Sequence, residues 1–266
     1  MLACALAIGG LDPGGGAGIA ADLRAFHAVG AFGCAVVALL TVQSTDGLVA
    51  SSPVATGTVL AQAAEVVRAQ RVRVIKVGAL GSVANVRGVA RWLEATALPV
   101  VLDPVMLPTR GASRLLDGRA IAAMRDELLP RATLVTANAT EAAALVGEPV
   151  TTVTQAKRAA VRLVELGAAA ALVKGGHLRR GKDVVDVLAT GTGDVILLTG
   201  PRLVLPPTHG GGCVLASLVA GLLARAALDG APSRIVALVR RARHIHQRAL
   251  EDAVDVGGAM RVLTPR

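Results

Sequence analysis

The sequence predicts an α/β fold in which one mainly parallel sheet carries helices on both faces. Strand-like and helix-like patterns alternate along most of the chain, the arrangement of βαβ units. The strand-like runs are almost continuously apolar, as strands buried on both faces must be. Hydrophobic residues make up 53% of the 266, enough to fill the two cores of a three-layer sandwich. No repeat, low-complexity linker or composition shift divides the chain, so residues 1–266 read as a single domain.

Taken in order, Leu2 to Ile8 reads as a buried first strand that runs into the glycine-rich stretch Gly9 to Gly18. A helix follows from about Ala17 to Val29, with Ile19, Leu23 and Phe26 on one face. Asp22 lies about 60° to the side of Ile19 at helical spacing, on the shoulder of the apolar stripe, where a carboxylate is ordinarily solvated. Cys34 to Leu40 is a second strand, ending in the polar run Thr41 to Asp46. Gln43 in that run is the first residue able to read a heterocycle by paired hydrogen bonds; a plain loop is the alternative. Thr58 to Arg68 is a helix, Arg73 to Val77 a strand, Val83 to Glu94 a helix, and Pro99 to Leu102 a strand ending in Asp103.

The second half continues the alternation. Helices are predicted over Ala120 to Leu129, Asn138 to Leu145 and Thr154 to Leu166, with strands at Leu134 to Thr136 and Ala170 to Lys174. Asn138 and Glu141 have the spacing of a capping box, so a purely structural role competes with any chemical one. Asp183 to Leu188 and Asp194 to Leu198 read as a hairpin about Gly191 to Gly193. A last helix spans about Ser233 to Ala253, and the tail from Val256 reads as irregular. Ligands of such sheets bind beyond the carboxyl ends of the strands, where Gln43, the stretch Lys76 to Leu80 and Asp103 all fall.

Composition narrows the function. The net charge of +9 fits anionic substrates, yet the basic residues are scattered, and pairs such as Arg179-Arg180 and Arg240-Arg241 are too short for a nucleic-acid patch. Phe26, Phe32 and Trp92 are the only aromatic residues, which leaves no stacking platform for a single strand. Three cysteines far apart in sequence argue against a disulfide framework and for a reducing cytoplasm. No signal peptide is evident, and no uninterrupted apolar stretch reaches membrane-spanning length. His244 and His246, two apart on a helix, are expected on different faces.

The stretch richest in chemistry is Thr208 to Cys213, THGGGC, ahead of a long apolar helix. Gly210, Gly211 and Gly212 let backbone N–H groups converge on one anion, and the helix N-terminus adds its positive dipole end. Cys213 in the first turn is expected to have a depressed pKa. Anion cradle plus thiolate suggests phosphoryl or acyl transfer; a glycine turn beside a small buried cysteine is the plain alternative. The N-terminal glycines are not a P-loop, since no Lys follows, and they fail the dinucleotide fingerprint at Ile19.

Several motifs together resemble one family. GLDPGGGAGIAADLRAF, GAFGCAVVALLTVQST, VLDPVM, TANATEAAAL, LVKGGH and THGGGC occur in the order and at the spacing of hydroxymethylpyrimidine/phosphomethylpyrimidine kinases. These are thiamin-pathway members of the ribokinase superfamily and are similar to pyridoxal kinases. The resemblance implies a three-layer α/β/α ribokinase-like domain. It implies transfer from Mg²⁺-bound ATP to 4-amino-5-hydroxymethyl-2-methylpyrimidine and then to its monophosphate, in a cytoplasmic homodimer without nucleic-acid or membrane partners.

The same resemblance assigns residues. Gln43, Asp12, Gly18, Asp22, Ala79 and Val105 would bind the pyrimidine. Gly210, Gly211 and Gly212 would form the anion hole, and Cys213 would be the base. Asp103, Asn138 and Glu141 would organise Mg²⁺, partly through water, and Lys174, Thr208 and His209 would bind the nucleotide. The chain departs from the family pattern at Ala20 for Gln, Ala79 for Met, Ala137 for Pro, Gly211 for Thr, and Pro206-Pro207 for polar or basic residues. A pyridoxine-type kinase and a non-catalytic pyrimidine-binding protein are the alternatives.

Overall fold

The computed structural model describes residues 2–107, 115–176, 178, 182–229 and 235–266. His177, Arg179, Arg180 and Ser233 of the sequence reading lie outside these residues. The chain runs β1 (Ala3–Leu11), α1 (Gly18–Ala28), β2 (Ala31–Ser44), β3 (Gly47–Pro53), α2 (Thr56–Ala69), β4 (Val72–Val77), α3 (Val83–Glu94) and β5 (Val100–Leu102). Then come α4 (Gly118–Ala123), β6 (Leu134–Asn138), α5 (Ala139–Val146), α6 (Val153–Glu165), β7 (Ala170–Lys174), β8 (Asp183–Thr190) and β9 (Val195–Pro201). The last elements are β10 (Thr208–His209), α7 (Gly211–Leu228), α8 (Ile235–Glu251) and β11 (Arg261–Val262).

Nine strands form one sheet in the order β3-β2-β1-β4-β5-β6-β7-β8-β9. Its centre, from β2 to β7, is parallel, and β3, β8 and β9 are antiparallel additions at the edges. The alternation of side chains along β1 separates the two cores. Cys4, Leu6 and Ile8 face α2 to α6. Ala3, Ala5 and Ala7 face α1, α7 and α8. The alanines on the second face let α7 lie close on the sheet, and Gly221 lets α1 pack against it: a Cβ there would stand 2.6 Å from Val29.

Most predicted elements are present within a few residues, and four expectations need correction. The polar run after Leu40 is not a loop. β2 continues through Gln43 to Ser44 and turns into β3, of which only Leu48 is buried. A ribbon exposed on both faces carries no apolar period, which is why it was illegible. The predicted helix Ala120 to Leu129 breaks into α4, a π turn at Met124–Leu128 and a 3-10 turn at Leu129–Arg131, where Pro130 has no N–H to continue it. The tail is not irregular throughout: β11 pairs in parallel with β10, setting Arg261 beside Thr208 and Val262 beside His209. Finally, α7 is long and apolar enough to cross a membrane by length and composition, although most of it is buried in the core of the protein.

β1 and β2 also bring Cys4 and Cys34 together as free thiols, 3.4 Å apart, although they are 30 residues apart in sequence.

Candidate active site

The carboxyl ends of the parallel strands open into a cavity of about 800 Å³. Every residue assigned to a site from the sequence lines it, from Asp12 on the first loop to Cys213 on α7. The shared rim is a property of the topology: parallel strands all end on the same side.

At the deep end the chain passes from β10 into α7 through Gly210, the N-cap, at φ +80°. A Cβ at Gly210 would collide with the Gly16 carbonyl oxygen, so only glycine fits between the two loops. The first amides of α7, at Gly211, Gly212 and Cys213, lack intrahelical acceptors by position, and they face the cavity with the helix dipole behind them. A Cβ on Gly212 would lie 3.1 Å from Lys174 Nζ, so the glycine backbone and this ammonium converge on one volume.

Cys213 stands where the sequence placed it, but its expected low pKa is overturned. Burial pushes the thiol up to about 12, and the neighbouring carboxylates of Asp103 and Asp22 add to this. Lys76 and a hydrogen bond from the Gly18 N–H pull the other way without prevailing. Flanked by two carboxylates, the thiol is not ionised by a helix dipole alone.

Beside it lies a cluster of mixed charge. Lys174 Nζ is 3.3 Å from Asp103 Oδ1 and 3.9 Å from Glu141 Oε2. Burial alone would lower the Lys174 ammonium; Asp103 and Glu141 reverse that and raise it. Burial lifts the Glu141 carboxyl to about 7, against the attraction of Lys174. Asn138 and Glu141 do form the reciprocal capping box of α5, with bonds of 2.9 and 2.7 Å, so the structural role read from their spacing is real. Asp103 Oδ2 is buried without a hydrogen-bond partner among the described residues.

Asp22 is not the solvated shoulder residue its helical position suggests. It is fully buried, 2.9 and 3.0 Å from Lys76 Nζ at the end of β4, and it accepts a 2.7 Å hydrogen bond from Ser217 of α7. Burial alone would lower the Lys76 ammonium, but Asp22, Cys213 and Asp103 raise it, so Lys76 is held as a cation beneath the thiol. The carboxylate oxygens of Asp22 are thus committed to Lys76 and Ser217 although the residue lines the cavity.

His209, assigned to the nucleotide, sits instead with the residues assigned to the pyrimidine. Its Nε2 is 2.8 Å from Asp12 Oδ2 and 3.0 Å from the side-chain amide of Gln43. Gln43 is therefore held by the protein at one end. Ala79 and Val105 also line the cavity, with Leu39 beside Ala79 across Gly10.

α8 contributes residues that sequence reasoning missed. Arg240, Arg243, His244, His246 and Gln247 line the cavity, so His244 and His246 share it despite their spacing. Arg243 is held by Asp186 at 2.7 Å, and Asp186 also accepts from the Gly175 N–H at 2.6 Å. Burial holds the His246 imidazole down at about 4, against the pull of the Gly211 backbone and Asp186. No local signal marks these residues, because only the packing of α8 on α7 aims them at the site.

The profile of the phosphomethylpyrimidine kinase family matches residues 12–263. The chain is 40% identical over 223 residues to the hydroxymethylpyrimidine/phosphomethylpyrimidine kinase of Escherichia coli, covering 83% of each. It is 37% identical over 255 residues to that of Streptomyces coelicolor, covering 96% of this chain and 91% of the relative. Among solved structures, an ADP complex of Bacillus subtilis pyridoxal kinase superposes with a TM-score of 0.89 at 28% identity, over 100% of this chain and 98% of the other.

Proposed function

The chain belongs to the phosphomethylpyrimidine kinase family, and we propose on that premise that it phosphorylates 4-amino-5-hydroxymethyl-2-methylpyrimidine and its monophosphate from ATP, in thiamin biosynthesis. One observation carries the reading: the N-terminus of α7, the Cys213 thiol and the Lys174–Asp103–Glu141 cluster converge in one cavity.

Phosphoryl transfer needs alignment and neutralisation of charge more than covalent help. The substrate ring lies between Gln43, Ala79 and Val105, with its hydroxymethyl group toward Cys213. The γ-phosphoryl group meets the amides of Gly211, Gly212 and Cys213, and Lys174 and Thr208 hold the nucleotide phosphates. Lys76 favours the Cys213 thiolate, which takes the hydroxyl proton as the phosphoryl group moves and becomes the thiol.

Asp103 and Glu141 suit a Mg²⁺ ion. Asp103 Oδ2 is a buried oxygen with no hydrogen-bond partner among the described residues, and Mg²⁺ is commonly held by one or two carboxylates, waters and substrate phosphates. Bound there, Mg²⁺ supplies neutralising charge to the phosphate oxygens. Asn138 serves through the cap that orients Glu141. Glu141→Gln separates the two roles, since Gln also completes a capping box. Thermal stability is expected to stay within about 1 kcal/mol of the parent, in the range of a cap. Apparent Mg²⁺ affinity is expected to fall on the order of 10–100-fold, as changes around metal sites do. Unaltered Mg²⁺ dependence of the rate leaves Glu141 with the cap alone.

We also place the reaction in the cytoplasm and in a homodimer. The odd number of cysteines supports the first. The exposed apolar residues Leu40, Val42 and Val49 on β2 and β3 support the second.

The test of the reaction is ADP release with hydroxymethylpyrimidine, its phosphate, pyridoxine and pyridoxal. Turnover confined to the pyridoxine-type alcohols favours the second reading; tight binding of the pyrimidine without turnover indicates a binding protein. The second reading draws on Ala79, where the family carries Met. Loss of a Met-sized contact costs about 2–5 kcal/mol in a core, less in a wet pocket. Ala79→Met is therefore expected to tighten hydroxymethylpyrimidine about tenfold and to penalise bulkier rings by titration calorimetry. Weaker binding of hydroxymethylpyrimidine in that variant means the wall is built for another ligand.

A further inference from the structure

We propose that His209 is a positioning residue that locks the Gln43 amide in one orientation, so that the site accepts an amino group beside an unprotonated ring nitrogen and rejects the reversed pattern. The inference rests on the substrate reading above and specifies how the ring is recognised.

One nitrogen of His209 has two partners. His209 Nε2 lies 2.8 Å from Asp12 Oδ2 and 3.0 Å from the Gln43 amide. The Asp12 carboxyl also receives the N–H groups of Gly14 at 2.9 Å and Ala17 at 2.8 Å. Burial alone would raise that carboxyl; the bonds from His209, Ala17 and Gly14 hold it below the usual range. Asp12 is therefore an ionised acceptor, and Nε2 must carry the hydrogen that faces it. His209 Nδ1 is buried and has no partner among the described residues, so nothing draws the proton to the other side of the ring.

With the one Nε2 hydrogen shared between Asp12 and Gln43 in a three-centre bond, the Gln43 group facing the imidazole must be its carbonyl oxygen. An NH₂ there would set two donors against each other at 3.0 Å. The oxygen and nitrogen of an amide exchange by a half-turn, and the network decides between them. The other end of the amide makes no hydrogen bond among the described residues and lines the cavity. A carbonyl oxygen has two lone pairs, one for the His209 N–H and one for the ligand. The edge offered to the ligand then has fixed polarity, an acceptor beside His209 and an N–H donor farther off.

A 4-aminopyrimidine matches that edge, with its amino hydrogen to the oxygen and its bare ring nitrogen to the N–H. The 4-oxo analogue, whose ring nitrogen carries hydrogen, reverses both partners. His209 has little freedom to yield: it is 1% exposed, and a Cβ on Gly16 would strike its ring. An unlocked glutamine would rotate and read either ring.

The experiment compares kcat/KM for the two pyrimidines in ADP-release assays and assigns the His209 tautomer by ¹⁵N NMR of the full-length protein. The parent is expected to favour the amino ring by on the order of 10³-fold or more, as sites that leave buried polar groups mispaired do. Gln43→Glu keeps an acceptor for His209 and has no N–H for the bare ring nitrogen, so that ratio should fall at least about tenfold. His209→Leu should also lower the ratio, and His209→Gln, whose NH₂ can serve Asp12 and Gln43 together, should restore it. Hydrogen found on Nδ1 and not on Nε2 overturns the lock, as does an unchanged ratio in Gln43→Glu. If His209→Leu does not fold, the tautomer and Gln43→Glu decide. If the parent phosphorylates neither pyrimidine, the substrate reading fails, and the tautomer still decides the lock.

Discussion

Cys213→Ala is expected to lower turnover about 10²–10⁴-fold, the usual contribution of a general base, while KM for both substrates stays within a few-fold. The thiol stands in the first turn of α7, held by the Gly18 N–H, and lines the cavity with Lys174, Asp103 and Glu141. Its removal deletes no cap and no ion pair, so stability should change by about 1 kcal/mol or less. The pH dependence follows from the raised pKa. An acid whose pKa is lifted to about 12 stays protonated across the neutral range, and its thiolate fraction grows with pH throughout. Parent turnover should therefore climb from pH 6 to pH 9, and the alanine variant should lose that limb. A plateau near neutrality in the parent means that the bound substrates have drawn the thiol down. Near-parental turnover in the variant removes Cys213 from the chemistry.

Lys76→Met is expected to destabilise the fold by about 3–5 kcal/mol, because it leaves a charge buried without its partner. Asp22 is wholly buried, and after Lys76 is removed only the Ser217 hydroxyl, among the described residues, remains hydrogen-bonded to it. Adding Asp22→Leu should recover most of the loss, since replacing both members of a buried pair by apolar groups is often neutral or better. Urea unfolding at constant m-value reads both results. A single variant within about 1 kcal/mol of the parent would show that water reaches Asp22. Activity separates structure from chemistry in the double variant: restored stability with turnover still depressed assigns Lys76 to holding the Cys213 thiolate.

These two predictions differ in how far the sequence foresaw them. Cys213 was legible because three glycines and an apolar helix fix its surroundings locally. In the sequence Lys76 marks only the end of a strand, and Asp22 only the shoulder of a helix. Their pairing joins α1 to β4 across 54 residues, and no spacing rule spans that distance. Likewise, Asn138 and Glu141 announced their capping box, since both partners lie within one helical turn, whereas Lys174 beside Glu141 depends on the β6–β7 register. The low pKa expected for Cys213 failed for the same reason. The dipole was visible in the sequence, but the burial and the two carboxylates were not.

By itself the sequence determined the α/β class, the order of nearly all the elements, the glycine run that opens α7 and the set of residues at the strand ends. Each of these follows from apolar periodicity, local caps and the rule that parallel strands end together. Only the tertiary structure decided which of those residues touch. It set His209 against Asp12 and Gln43, placed α8 over the cavity, and drew the tail back as β11 against the glycine motif. Hydrogen bonds, desolvation and ion pairing depend on atoms a few ångströms apart, and in a sheet of nine strands those atoms come from distant parts of the chain.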